Sequence, residues 1–280
     1  MLWQTAVIIW RELVEALLVI GILHAWLVHE AGETGRSRGT LYLWGGVVAG
    51  VAAAVALGAV LVFAETLFGE DGQDYFQAAM VLAAAVLIVQ MVVWMRRHGR
   101  TLKKEITSGL TEASQGEHWW GVFTLALIAV AREGSETAVF LYGSLAGASG
   151  ATFWGTAFTA ALGFAAALAT YFLLQLGSRI FSWRHFFVFT EIMLLLLAFS
   201  LLLTGIDRLA GLGLLPLSTR PLWDSSALLS DTSPAGNLIA ALTGYRAKPD
   251  ISQLIAAVLY WSAIAYLLRG GRSLQAARAA

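Results

Sequence analysis

Cysteine is absent from the 280 residues. That removes disulfides, thiolate metal sites, iron–sulfur clusters and cysteine nucleophiles together. Charge is scarce: 13% of the residues are Asp, Glu, Lys or Arg, against about 25% in ordinary soluble domains. The formal net charge is zero, so there is no basic surplus to neutralise phosphates, which argues against a nucleic-acid partner. The five histidines (His24, His29, His98, His118, His185) form no metal-spaced pair. No Ser/His or paired-Asp signature marks an enzyme. A basic n-region is missing too, and the first apolar run carries Arg11, Glu12 and Glu15, so it reads as a retained helix rather than a cleavable signal.

What remains is apolar: 58% of residues are hydrophobic, the composition of a polytopic membrane protein. Runs of about 20 apolar residues mark transmembrane helices. They predict an all-α integral membrane fold of one domain over residues 1–280, with seven spans at 3–28, 41–68, 75–95, 119–142, 152–176, 186–206 and 251–268. Twelve basic residues fall in the connections 29–40, 96–118 and 177–185 and the tail after 268, against four in the alternate connections. The positive-inside rule then puts the N-terminus outside and the C-terminus in the cytoplasm. Glu65, Glu70, Asp71 and Asp74 cluster at the second connection, on the outer side, as an exposed acidic turn or a place where cations gather.

Two strings inside these runs stand out: Arg11-Glu12-Leu13-Val14-Glu15 and Arg132-Glu133-Gly134-Ser135-Glu136. Both read R-E-x-x-E, and each ionisable group at bilayer depth costs roughly 2.5–3.5 kcal/mol on insertion scales. The strings lie 121 residues apart, an offset of three spans, so their helices cross the membrane in opposite directions. Leu43-Trp44-Gly45 and Phe153-Trp154-Gly155 echo the same duplication. Two inverted three-helix repeats (about 1–100 and 119–206) with a seventh helix appended place a binding site near the midplane. Gly46 and Gly50 form G-x-x-x-G in the second span, and the fifth is rich in alanine around Gly163, faces that let helices approach closely. In the outer segment 207–250, Asp224 before Ser225–Leu229 and Ser233-Pro234 before Leu238–Leu242 predict two short helices, with Gly244 as a stop.

On a helix of about 100° per residue, Arg11, Glu12 and Glu15 share one side, as do Arg132, Glu133 and Glu136. Glu12, Glu15, Glu133 and Glu136 are therefore the metal candidates, with Arg11 and Arg132 balancing charge; all six together carry −2 when ionised. Carboxylate oxygens suit hard multivalent cations, whereas soft copper(I) asks for Cys or Met, and the five methionines form no obvious inward ladder. Against this stands a pair of buried Arg–Glu locks, but buried ion pairs are weak sources of stability, and each motif has one more Glu than Arg. Glu191, alone in the sixth span, is an auxiliary candidate, and Gln77 a polar wall near the outer end of the third. Trp3, Trp94, Trp119, Trp120, Trp154 and Trp183 read as an interfacial belt.

With both R-E-x-x-E strings on the first and fourth spans, Trp94-Met95 ending the third, and Trp223-Asp224-Ser225-Ser226 to Gly244-Tyr245 before the last, the chain resembles the oxidase-dependent iron permeases. These comprise the fungal high-affinity permease and its bacterial Efe-type relatives. The resemblance covers nearly the whole chain. At the variable motif positions this sequence has Leu13-Val14 and Gly134-Ser135 where the family commonly has Gly-Leu, and Gln77 stands where many relatives carry Glu. The resemblance implies import of Fe3+ or Fe2+ across the plasma (cell inner) membrane by Glu12, Glu15, Glu133 and Glu136, with no cofactor beyond the transported iron. It also implies an extracytoplasmic partner, a copper oxidase or an Efe-type lipoprotein or peroxidase, that presents the iron. A lead or manganese transporter on the same scaffold is the nearest alternative, followed by a membrane subunit in which the motifs are locks.

Overall fold

The computed structural model describes residues 2–30, 32–98, 119–146, 153–176, 183–215, 221–231 and 233–279. Arg100, Lys103, Lys104, Arg179 and Arg220, on which part of the charge asymmetry rests, lie outside the described residues. Among those described there are eight helices and no strand: α1 (Leu2–Glu30), α2 (Gly32–Thr66), α3 (Glu70–His98), α4 (Trp120–Ala146), α5 (Phe153–Leu176), α6 (Trp183–Gly211), α7 (Pro234–Thr243) and α8 (Ile251–Ala279). Proline, which breaks helix interiors, occurs only at Pro216, Pro221, Pro234 and Pro249. The seven long helices are therefore free of it. The shortest of them, α5, has 24 residues and at 1.5 Å per residue reaches about 36 Å, beyond the roughly 30 Å of a bilayer's hydrocarbon.

Among the described residues, five helices are long and apolar enough to cross a membrane: α2, α3, α5, α6 and α8. α1 and α4 have the length, but each carries an Arg and two Glu in its body. The most open of the five is α2, with Val48, Val51, Val55, Val60, Val62 and Phe63 exposed; α6 is the most enclosed. A continuous apolar surface of that kind marks contact with lipid.

Packing follows a reciprocal pattern. α2 runs along α4, α1 along α5 and α3 along α6, while α1 also meets α4. Matching α1, α2 and α3 to α4, α5 and α6 exchanges the first two contacts and maps the other two onto themselves, whereas the further contact of α3 with α4 has no counterpart of similar extent between α6 and α1. In lipid no hydrophobic force drives helices together, so close approach and dispersion must do it. Small residues permit that approach: a Cβ on Gly46 would lie 2.4 Å from the Phe123 carbonyl of α4, and one on Gly163 2.6 Å from the Ala6 carbonyl of α1. Both contacts are to backbone, which cannot step aside. Gly46→Val is thus expected to cost about 1–3 kcal/mol, the usual range for overpacking, seen as a lowered melting temperature in detergent. Gly69→Ala, where a Cβ meets nothing within 4 Å, should leave it unchanged.

The core joins Val81, Ile88 and Val92 of α3, Leu194, Leu197 and Leu201 of α6, Tyr260 and Ile264 of α8, Ile8 of α1 and Phe140 of α4. The sixth apolar run, expected to stop at 206, continues as helix to Gly211. It ends in a Schellman cap, with Gly213 at φ 75° and the Leu214 and Gly213 amides donating to the Leu209 and Ala210 carbonyls.

Only one of the two short helices expected in 207–250 forms. α7 starts at Ser233, whose hydroxyl accepts from the Gly236 amide, has Pro234 in its first turn and ends at Gly244 with φ 74°. Its last carbonyls turn inward: Ala240 accepts from the buried Ser200 hydroxyl at 3.0 Å and Ala241 from the Gln4 amide. α7 is thereby docked on α6 and the start of α1. Ser225–Leu229, by contrast, is a single turn, in which the Leu228 and Leu229 amides donate to the Ser225 carbonyl while the Ser225 amide and hydroxyl are tied to the Ala247 carbonyl. Asp224 braces that turn, its carboxyl pushed down to about 2 by the Ser226 hydroxyl and amide and by Lys248.

Candidate metal centre

The two motifs meet. Helical spacing turns Arg11, Glu12 and Glu15 to one side of α1 and Arg132, Glu133 and Glu136 to one side of α4, and the contact between α1 and α4 brings those sides together. One carboxylate oxygen from each of Glu12, Glu133 and Glu136 lies within 4.8 Å of the others. On each of the three, Oε2 is buried with no hydrogen-bond partner among the described residues. Buried polar atoms are nearly always satisfied, so three open carboxylate oxygens at one place are the feature of this fold that most needs a ligand.

The arginines are not equivalent. Arg11 is 1% exposed; its guanidinium donates to Glu12 Oε1 at 2.8 Å and pairs with Glu15. It also touches two sulfurs of α3, Met91 Sδ and, at 3.3 Å, Met95 Sδ. Arg132 is more open. Its Nε donates to Glu136 Oε1 at 3.1 Å and its guanidinium carbon lies 4.1 Å from the centre of the Trp94 ring, a cation–π contact. Glu15, expected with the other three, is absent from the grouped carboxylates and is paired with Arg11. Glu191 is also outside the group. It is buried and ion-paired with Arg96, which fastens α6 to the end of α3.

Three α3 side chains have contacts that the sequence reading leaves out. Trp94, expected in an interfacial belt, lies against Arg132. Met91 and Met95, which the sequence does not set apart from the other methionines, face Arg11. The signal was there: residues at i and i+4 share a helix face, and Trp94 adjoins them. At the outer ends of the helices Gln77 accepts from Arg208 at 2.8 Å and donates to Glu65 at 2.5 Å. An amide performs both roles, and a carboxylate at this position would lack the donor.

A bundle of long apolar helices around a buried, ionisable, oxygen-rich centre defines a multi-pass membrane protein with a polar core. The chain belongs to the iron permease FTR1 family, whose model matches residues 2–270. It is 31% identical over 257 residues to the ferrous iron permease EfeU of Escherichia coli O6:H1 (strain CFT073), covering 90% of each chain. With EfeU of Shigella sonnei (strain Ss046), also a ferrous iron permease, it shares 30% over 254 residues, 89% of each. No solved structure matches. The family is one of permeases, so the expectation of a transporter rather than an enzyme holds.

Proposed function

We infer that the protein imports Fe2+ into the cytoplasm across the cell inner membrane, with Glu12, Glu133 and Glu136 as the ligands of the ion in transit and Glu15 held beside them. The observation that carries this reading is the group of three carboxylates from two helices, each with an open buried oxygen. Charge supports the ferrous state. Fully ionised, four glutamates and two arginines sum to −2, which a divalent ion cancels and a trivalent ion overshoots in surroundings of low dielectric. The relatives' names point the same way.

Seven spans, α1 to α6 and α8, with the N-terminus outside, complete the proposal. The reciprocal packing of α1–α3 on α4–α6 supports an inverted repeat, and such repeats carry ions by alternating access around a fixed central site. Open pores need weakly held ions, whereas three converging carboxylates hold one firmly. No cofactor other than the transported ion enters this reading. An extracytoplasmic protein that presents iron, a copper oxidase or an Efe-type lipoprotein or peroxidase, belongs to it by family membership alone.

The test is uptake of radioactive iron by proteoliposomes. Iron kept ferrous with ascorbate is expected to enter saturably, and a soluble ferric chelate to enter no faster than into protein-free vesicles. Uptake from the ferric chelate alone would overturn the valence, and uptake of manganese or lead in strong preference to iron would overturn the substrate.

A further inference from the structure

Two of the chain's five methionines, Met91 and Met95, lie one turn apart on α3 with their sulfurs against the same guanidinium. Arg11 Nη1 is shared between Met91 and the carboxylate centre, donating to Glu12 Oε1 at 2.8 Å and to Met91 Sδ, while Nη2 reaches Met95 Sδ at 3.3 Å. A positive nitrogen thus fills the gap between a carboxylate oxygen and a thioether. Met91 is 4% exposed, so its sulfur is enclosed with the site rather than turned to lipid. As a hydrogen-bond acceptor a thioether is weak, and as packing a leucine would serve as well. What the sulfur adds is softness.

That property answers a problem the carboxylates leave open. An oxygen-only site suits Mg2+, Ca2+ and Mn2+, and specificity is a difference of affinities that the oxygens alone do not supply. We propose that Met91 and Met95 are ligands of the transported ion: Arg11 holds their place while the site is empty, and as it turns aside the ion settles between Glu12 and the thioethers. Sulfur ligation then sets the preference for ferrous iron over Mg2+ and Ca2+. This deepens the carboxylate reading and rests on it.

Because the chain has no cysteine, any sulfur bound to iron in thiol-free buffer comes from methionine. X-ray absorption at the iron edge, on the full-length protein loaded anaerobically with Fe2+, is expected to show oxygen and sulfur scatterers. In Met91→Leu/Met95→Leu, which nearly conserves volume, the sulfur shell should vanish. The Mg2+ concentration that halves iron uptake should also fall at least about tenfold, a preference worth about 1.4 kcal/mol. Iron surrounded by oxygen alone in the loaded wild-type protein would overturn the proposal and leave the carboxylate site standing, as would unchanged Mg2+ sensitivity in the double variant. A wild-type protein that retains no iron at all would remove both. The wild-type spectrum decides the matter even if the variant accumulates poorly.

Discussion

Glu133→Gln is expected to abolish iron uptake while leaving the protein folded and inserted. Arg132 pairs with Glu136 and Arg11 with Glu12 and Glu15, which leaves Glu133 as the grouped carboxylate with no ion pair among the described residues. Its Oε2 is already without a partner. Glutamine keeps the shape, breaks no salt bridge and removes one buried charge, so accumulation and melting temperature should hold or rise. Transport should fall by more than the roughly 10–100-fold that losing an outer-shell partner costs at metal sites, since here a ligand itself is lost. Glu15→Gln, outside the group of three, should lose less. A Glu133→Gln protein that imports iron at the wild-type rate would end the carboxylate reading. One that fails to accumulate would favour a structural lock.

That experiment probes a site largely legible in the sequence, and the reason is physical. Six ionisable groups inside apolar runs have few uses, and a spacing of i and i+3 fixes their common face without any tertiary information. The same logic located α7, because Ser233, Pro234 and Gly244 act through local backbone geometry. What escaped depended on the third dimension. Whether Glu15 joins the cluster depends on how α1 and α4 sit against each other, which spacing along one helix does not fix. Trp94 and Met91 share their span with residues that face elsewhere, and only the packing of α3 against α1 and α4 separates an inward face from a lipid-facing one. Ser225–Leu229 makes one turn rather than the expected helix, and the Ala247 carbonyl that anchors its first amide is distant in sequence. Gln77 looked like the loss of a carboxylate and proves to be a joint between Glu65 and Arg208.

The second large effect falls on stability, and it separates the two halves of the pseudo-repeat. Arg11→Leu leaves Glu12 and Glu15 at the centre of the bundle without their counter-charge, and breaking a buried pair from one side costs about 3–5 kcal/mol. Native proteins have only about 5–15 kcal/mol in hand, so the variant should accumulate poorly and melt well below the wild type in detergent. Arg132→Leu should be milder: that side chain is 39% exposed, has one carboxylate partner, and its contact with Trp94 is worth about 0.5–1 kcal/mol. Adding Glu12→Gln and Glu15→Gln to Arg11→Leu should restore accumulation, because the stranded charges go with their partner, yet iron uptake should stay lost. Equal melting temperatures for Arg11→Leu and wild type would show that the glutamates find their counter-charge elsewhere. Rescue of uptake together with folding would show that the first motif serves architecture and the second alone handles the ion.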